Sequence, residues 1–216
     1  MRSYPTQQRG VSLISLMIGL VISMLGILAM LAVYKTTVKQ AAFAGQGATT
    51  DGQRMAALFS AQTLLQEAGY GLDSAAYGTD LVVIGAATLN GGSLGGTAQT
   101  ALPATGTAVV WGSKTATTYM CQGLYATATG GFVRLPAVAC TAATEWNTLK
   151  WSPVDLVADT KAEQGFSVQV QKSSAAAGCK TFGITGGGAL LAVLNTTNST
   201  SLAATGTTCL TNFPLP

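Results

Sequence analysis

The hydrophobic positions of the chain begin with one unbroken apolar run. Residues 11–33 include no charged side chain. At about 1.5 Å rise per residue, a helix of that length is roughly 34 Å long, and a bilayer core is ~30 Å thick. A single charged residue at its centre would cost about 2.5–3.5 kcal/mol on membrane insertion. The pattern therefore predicts a membrane-spanning helix over residues 11–34.

After this run, polar residues separate apolar ones at helical spacing. The apolar positions are Met55, Leu58, Phe59 and Leu65. Their period predicts that the helix continues as an amphipathic helix over residues 35–71. We expect it to end at Gly69-Tyr70-Gly71, where glycine suits the position after a helix. Gly45 and Gly47 each cost a helix about 1 kcal/mol relative to alanine, so we expect a kink or a loosened turn there.

From Asp73 onward the pattern is typical of β-structure. Short β-branched or aromatic runs bounded by turn residues predict strands at 81–84, 108–111, 117–121 and 166–171. Residues 123–134 predict a hairpin that turns at Gly130-Gly131, and residues 89–107, rich in Gly, Ala and Thr, predict a long surface loop. The expected fold class is α+β, with the long N-terminal helix packed on a β-rich, disulfide-bonded domain over residues 72–216.

Composition narrows the classes of function. Charged residues make up 9% of the 216 residues, the formal net charge is +3, and histidine is absent. Without histidine, Ser-His-Asp and Cys-His catalytic arrangements are excluded, so we predict no enzyme, no catalytic residue and no cofactor. The basic residues form no run of the kind that follows a nucleic-acid backbone, so nucleic acid is not an expected partner.

The four cysteines all follow the apolar run; they are Cys121, Cys140, Cys179 and Cys209. An even number on one side of a membrane helix suits disulfides in an oxidising compartment. A zinc site is the competing interpretation, but no pair has C-x-x-C spacing and no histidine is present. Among the three connectivities we expect sequential pairing, which would tie down the Gly- and Thr-rich stretch 186–208.

One cluster of carboxylates raises the question of a metal site. Asp155, Asp159 and Glu163 lie within nine residues, and calcium favours oxygen ligands. The spacing matches no EF-hand loop, and Lys161 lies among the three. We therefore interpret this stretch as a solvated loop and predict no metal site.

Residues 1–10 form a short polar leader that contains Arg2 and Arg9 and ends at Gly10. The two arginines favour a cytoplasmic N-terminus, but Lys35 and Lys39 follow the apolar run, so charge alone leaves the orientation open. A secretory signal has an apolar run of ~7–15 residues followed by its cleavage site. Here the small residue comes before the run, which predicts that the apolar segment stays in the mature protein.

This order of basic leader, Gly10 and uninterrupted apolar helix resembles the class III signal of type IV prepilins and pseudopilins. The resemblance implies that a prepilin peptidase cuts between Gly10 and Val11 and that Val11, where phenylalanine is common, is N-methylated. Residues 64–70, Leu-Leu-Gln-Glu-Ala-Gly-Tyr, are similar to the helix end of PilW-type minor pilins.

Ser15 departs from the family pattern. The fifth mature residue is nearly always a glutamate in that family, where it is thought to pair with the N-terminal ammonium of a neighbouring subunit and so set the register. A buried charge without its partner is costly, whereas a serine hydroxyl can bond to its own helix. Either Ser15 is a drifted position in a low-copy subunit, or the subunit sits at the filament tip or in the initiating complex. We favour the second interpretation.

The resemblance implies a minor pilin of a type IV pilus, a structural subunit that acts in the initiation of assembly, at the filament tip or both, and it associates the chain with cell adhesion. Its partners would be the prepilin peptidase, the inner membrane, and other minor and major pilins that contact its N-terminal helix. Before assembly the C-terminal domain would lie in the periplasm, and afterwards on the pilus at the cell surface. Two alternatives stay open: a minor pseudopilin of a type II secretion system, and a membrane-anchored adhesin or binding module that never polymerises.

Overall fold

The computed structural model describes residues 12–158, 165–174, 178–180, 187–196 and 204–215. Its contacts divide the chain into two compact units, Met1–Asp51 and Gly52–Pro216. Most of one long helix belongs to the first unit, and the second contains the end of that helix and every described strand. The predicted α+β class, a long N-terminal helix with a disulfide-bonded β-rich domain, is confirmed.

Helix α1 runs from Leu13 to Leu65 without a break. The helix therefore continues past the apolar segment, through residues 35–65 of the stretch that the sequence predicts as an amphipathic continuation. Gly45 and Gly47 both lie inside the helix, where we expected a kink or a loosened turn. The penalty of about 1 kcal/mol for each glycine is small beside the cooperativity of a helix of this length, which explains why the helix continues through them.

The end of α1 comes slightly earlier than predicted. The helix stops at Leu65, and turns follow as far as Gly71. Gly69 and Gly71 have φ angles of 74° and 72°, which glycine adopts without the steric cost that a side chain adds. The Gly69 N–H donates to the Gly112 carbonyl oxygen at 2.8 Å, so the chain leaves the helix directly against a strand.

The buried face of the final turns of α1 differs from the one that the apolar residues predict. The buried residues are Arg54, Ala57, Leu58, Ala61 and Leu65. Met55 and Phe59 belong to the predicted apolar face, yet they are 53% and 72% exposed. The two alanines allow the helix backbone to approach the sheets closely, which a face of bulky side chains would prevent.

Arg54 is buried, and its guanidinium group packs against an aromatic ring. Its guanidinium carbon lies 5.3 Å from the centre of the Phe166 ring, within range of a cation–π contact. Phe166 in turn stacks on Phe132, with ring centres 4.5 Å apart. The long aliphatic stem of an arginine packs like an apolar side chain, so a face that contains one can still be buried.

The described residues form ten strands in two antiparallel sheets. The strands are β1 (Leu81–Asn90), β2 (Ser93–Gln99), β3 (Ala104–Gly106), β4 (Ala108–Thr115), β5 (Thr118–Ala126), β6 (Phe132–Ala139), β7 (Val154–Val157), β8 (Phe166–Lys172), β9 (Leu190–Thr196) and β10 (Thr205–Leu210). Six strands make one sheet in the order β2-β1-β4-β5-β6-β7, and four make the other in the order β10-β9-β8-β3.

All four strands that the sequence predicts are present, as β1, β4, β5 and β8. The predicted hairpin is the β5–β6 pair, with Gly130 in its turn at a φ of 88°. The predicted surface loop over residues 89–107 is wrong, because it contains β2 and β3. β2 has one leucine and otherwise small or polar residues, so main-chain hydrogen bonds to β1 hold it, and these leave no apolar pattern in the sequence.

The six-stranded sheet has a core on each face. The end of α1 and the four-stranded sheet cover one face, where Leu65, Trp111 and Val170 are buried. The opposite face is covered by residues 143–151, where Trp146 and Trp151 pack on Val82 and Val110. Alternating residues of β1 and β4 point into the two cores, as the period of a strand requires.

The cysteines pair sequentially, as predicted: Cys121 with Cys140 and Cys179 with Cys209. The first bond joins β5 to the segment that follows β6 and leads to the covering tryptophans. The second joins residue 179 to β10, the edge strand of the four-stranded sheet. The zinc interpretation is thereby excluded, because all four thiols are used.

Gly106 occupies the point where the chain passes from one sheet to the other. A Cβ atom added there would lie 2.3 Å from the Ile84 carbonyl oxygen, closer than backbone atoms tolerate. We predict that Gly106→Ala lowers the free energy of unfolding by about 2 kcal/mol or more. Urea unfolding followed by tryptophan fluorescence measures it, since all three tryptophans lie in the second unit.

Gly52→Ala is the matched control for this prediction. Gly52 lies in the helix, and an added Cβ would meet no atom within 4 Å. Alanine there should raise stability by up to about 1 kcal/mol through helix propensity. Equal stability of the Gly106→Ala variant and the wild type would contradict the close approach of the two sheets.

Candidate functional site

The apolar segment of α1 is not covered by any of the residues that the structure describes. Every described side chain from residue 12 to residue 49 is exposed. The most apolar 18-residue window has a mean hydropathy of 2.7, and none of it is buried. An apolar helix in the core of a soluble domain would be buried. The helix is long and apolar enough to cross a membrane.

Hydroxyl groups on this part of α1 bond back to their own helix. Ser23 donates to the Leu20 carbonyl oxygen at 2.8 Å, and Thr37 donates to the Val33 carbonyl oxygen at 2.9 Å. A hydroxyl satisfied in this way can lie in lipid without an unpaired polar group. These residues therefore leave the outer surface of the segment apolar.

A tyrosine and two lysines follow the apolar run. Tyr34 is 69% exposed, and Lys35 and Lys39 are exposed beside it on the helix. Tyrosine and lysine are typical of the membrane–water boundary, where the apolar body of each side chain faces lipid and the polar end faces water. Their position favours a boundary near residue 34, as the sequence predicts.

The residues predicted for processing lie at and beyond the edge of the described chain. Gly10 and Val11 lie outside the described residues. Ser15 lies in the first turn of α1 with its side chain exposed, on the same surface as the apolar residues around it. Its role in filament register therefore stays a prediction.

The second unit offers no metal centre among its described residues. They contain no group of three or more His, Cys, Asp or Glu side chains placed to hold an ion. Of the predicted carboxylate cluster, Asp155 lies on β7, whereas Asp159 and Glu163 lie outside the described residues.

Two polar contacts support the sheet around the end of α1. Gln122 of β5 donates to a Glu67 carboxylate oxygen at 2.8 Å, and the Tyr119 hydroxyl donates to Asp80 at 2.7 Å. Burial, and then the hydrogen bond to Asp80, raise the pKa of Tyr119 above its usual value. The hydroxyl thus keeps its proton and stays a donor, which suits a structural contact.

A groove that the sequence does not reveal lies beside the exposed flank of α1. Its volume is about 420 Å³, and it is lined by Phe59, Ser60, Thr63, Leu64, Arg134 and Leu156. We call it the Arg134 groove. Four of its residues come from α1 and two from β6 and β7, about seventy or more positions later in the chain. The sequence pattern assigns Phe59 to the apolar face of the helix and contains no signal for a groove.

Three features thus bear on function: the exposed apolar helix, the disulfide-bonded second unit and the Arg134 groove. Comparison of the chain with protein-family models, with curated proteins and with solved structures finds no match. The function proposed below is drawn from the residues and geometry of this chain.

Proposed function

We propose that the chain is a minor pilin of a type IV pilus, a structural subunit that acts in the initiation of assembly or at the filament tip. The observation that carries the proposal is the exposed and uncharged first part of α1, which begins at Leu13, close after Gly10 in the sequence. In this proposal a prepilin peptidase removes residues 1–10 and leaves Val11 as the methylated N-terminus. The apolar segment then remains as the part that joins the subunit to others.

One apolar surface serves both stages of the proposed life cycle. Before assembly, α1 anchors the chain in the inner membrane, with lipid around the exposed segment. On assembly, the helices of neighbouring pilins replace the lipid, and packing contacts between apolar side chains replace lipid contacts. The two disulfides support a periplasmic location of the second unit, because disulfides persist in oxidising compartments.

Ser15 supports a position at the tip or in the initiating complex. A carboxylate at this position would need a cationic partner inside the filament core. Ser15 brings no such charge, so the subunit can join the core without accepting a preceding subunit in a fixed register. A shaft subunit, which has neighbours on both sides, would lose that selection.

The proposed position at the filament tip is tested by gold labelling of the second unit on sheared filaments. We expect label at one end of each filament, and a sharp fall in filament number in cells that lack the chain. Label along the whole shaft would contradict the tip position. Label confined to the membrane fraction, with a normal filament number, would contradict the pilin proposal and favour an anchored binding module.

A further inference from the structure

The Arg134 groove joins one cationic side chain to apolar walls. We infer that it binds a segment of a partner protein in which an acidic residue is flanked by aliphatic side chains, with Arg134 receiving the carboxylate. The inference uses only the second unit and does not rest on the proposed function. A pilin, a pseudopilin or an anchored binding module could each carry such a surface.

The first support for the inference is that the Arg134 side chain has a buried N–H group without a hydrogen-bond acceptor among the described residues. Arg134 lies on β6 and pairs with Leu124 of β5 on one side and with Val154 of β7 on the other. Its Nε atom is buried and meets no hydrogen-bond acceptor among the described residues. A buried N–H group without an acceptor costs free energy, which an acceptor supplied from outside would recover.

The carboxylate on the neighbouring strand is not placed to supply that acceptor. Asp155 pairs with Val133, which belongs to the core on the opposite face of the sheet. Paired residues share a face, whereas Arg134 is one position further along β6 and lies on the other face. The acidic residue next to Arg134 in the sheet therefore points away from the groove.

The second support is the character of the walls. Phe59 is 72% exposed, so its apolar ring faces solvent at the edge of the groove. Leu64 and Leu156 are partly buried at the base, where they pack against the core. Aromatic residues and arginine are enriched at protein interfaces, and arginine is among the residues that contribute most to binding energy there.

The chemistry favours a carboxylate in an apolar segment over a phosphate or a nucleic acid. The groove has a single cation, and its other lining side chains are uncharged. Binding to nucleic-acid backbones gains affinity from several cations acting together. One guanidinium instead matches one carboxylate through two parallel hydrogen bonds, and the apolar walls match aliphatic neighbours of that carboxylate.

The test uses the full chain in lipid nanodiscs, with arginine labelled with ¹⁵N. The Arg134 Nε–H resonance is assigned by its loss in Arg134→Lys. Two capped hexapeptides serve as probes: Ser-Leu-Glu-Leu-Leu-Ser, and its twin with Gln in place of Glu. We expect the Glu peptide to shift the Arg134 resonance in a saturable way and to bind about tenfold or more tightly than the Gln peptide.

Two variants distinguish binding in the Arg134 groove from a general attraction of the acidic peptide to positive charge. Phe59→Ala should weaken binding of the Glu peptide about tenfold, and it should fold normally because the ring is mostly exposed. Lys172→Gln removes one exposed positive charge from the other sheet and should leave binding unchanged.

Three results would overturn the inference. Equal shifts with the Glu and Gln peptides would show that the carboxylate is not recognised. No saturable shift with either peptide would show that the groove binds no such segment. Inorganic phosphate acting as strongly as the Glu peptide would show a simple anion site, without a role for the apolar walls.

Discussion

Replacing Cys179 and Cys209 together by alanine is expected to lower the free energy of unfolding of the second unit by about 3–4 kcal/mol. The bond closes a loop of 30 residues, and loops of that size lose considerable chain entropy in the unfolded state when they are closed. Small domains are stable by only about 5–15 kcal/mol, so the loss is a large part of the total.

Loss of the Cys179–Cys209 disulfide should also destabilise one region more than the rest, because of the position of β10. β10 lies at the edge of the four-stranded sheet and pairs only with β9 among the described strands. Hydrogen exchange in the double variant should therefore rise first in β9 and β10, and later in β4 and β5 at the centre of the other sheet. Urea unfolding gives the global loss, and exchange measured by mass spectrometry gives its location.

The other disulfide provides the matched control. Replacing Cys121 and Cys140 by alanine opens a loop of 19 residues and should cost a similar amount, about 3 kcal/mol. Faster exchange should then appear around Trp146 and Trp151, which cover the opposite face of the six-stranded sheet. A loss below about 1 kcal/mol in both double variants would contradict the entropic account of these bonds.

The elements that the sequence predicted well are those with a strong local signal. The long apolar run predicted a helix in this part of the chain, and α1 contains the run from Leu13 onward. The strict alternation of Phe166, Val168 and Val170 with polar residues fixes β8 and its buried face. The disulfide pairing followed from cysteines that flank one hairpin and one C-terminal segment.

The elements that the sequence missed depend on tertiary contacts. The buried face of α1 was misjudged because Ala57 and Ala61 matter more for close packing than the larger Met55 and Phe59. β2 was missed because its pairing with β1 uses main-chain groups that every residue possesses.

The Arg134 groove shows a further limit of sequence reasoning. Phe59 of α1 and Arg134 of β6 lie far apart in the sequence, and the fold, rather than a local motif, brings them to one groove. A buried arginine nitrogen without an acceptor is visible only once the neighbours are known. Sites built from distant elements in this way leave no spacing signal in one sequence.

The second prediction with a large expected effect concerns the leader, residues 1–10. A chain with Gly10→Ala is expected to keep residues 1–10 and to stay out of filaments. A side chain at Gly10 would lie beside the bond that the peptidase is proposed to cut, where glycine allows the main chain to approach a protease closely.

Ser3→Ala is the matched control, since it changes the leader by one small side chain and keeps Gly10. Gel mobility and the sheared filament fraction give the two readouts. Normal incorporation of the Gly10→Ala variant would count against the processing account.

The most direct test of the pilin proposal is the mass of the N-terminal peptide of the mature chain. The proposal predicts a peptide that begins at Val11 and carries one methyl group on its amino nitrogen. A chain that still begins at Met1, or one that is cut after residue 33 so that the apolar helix is lost, would contradict it.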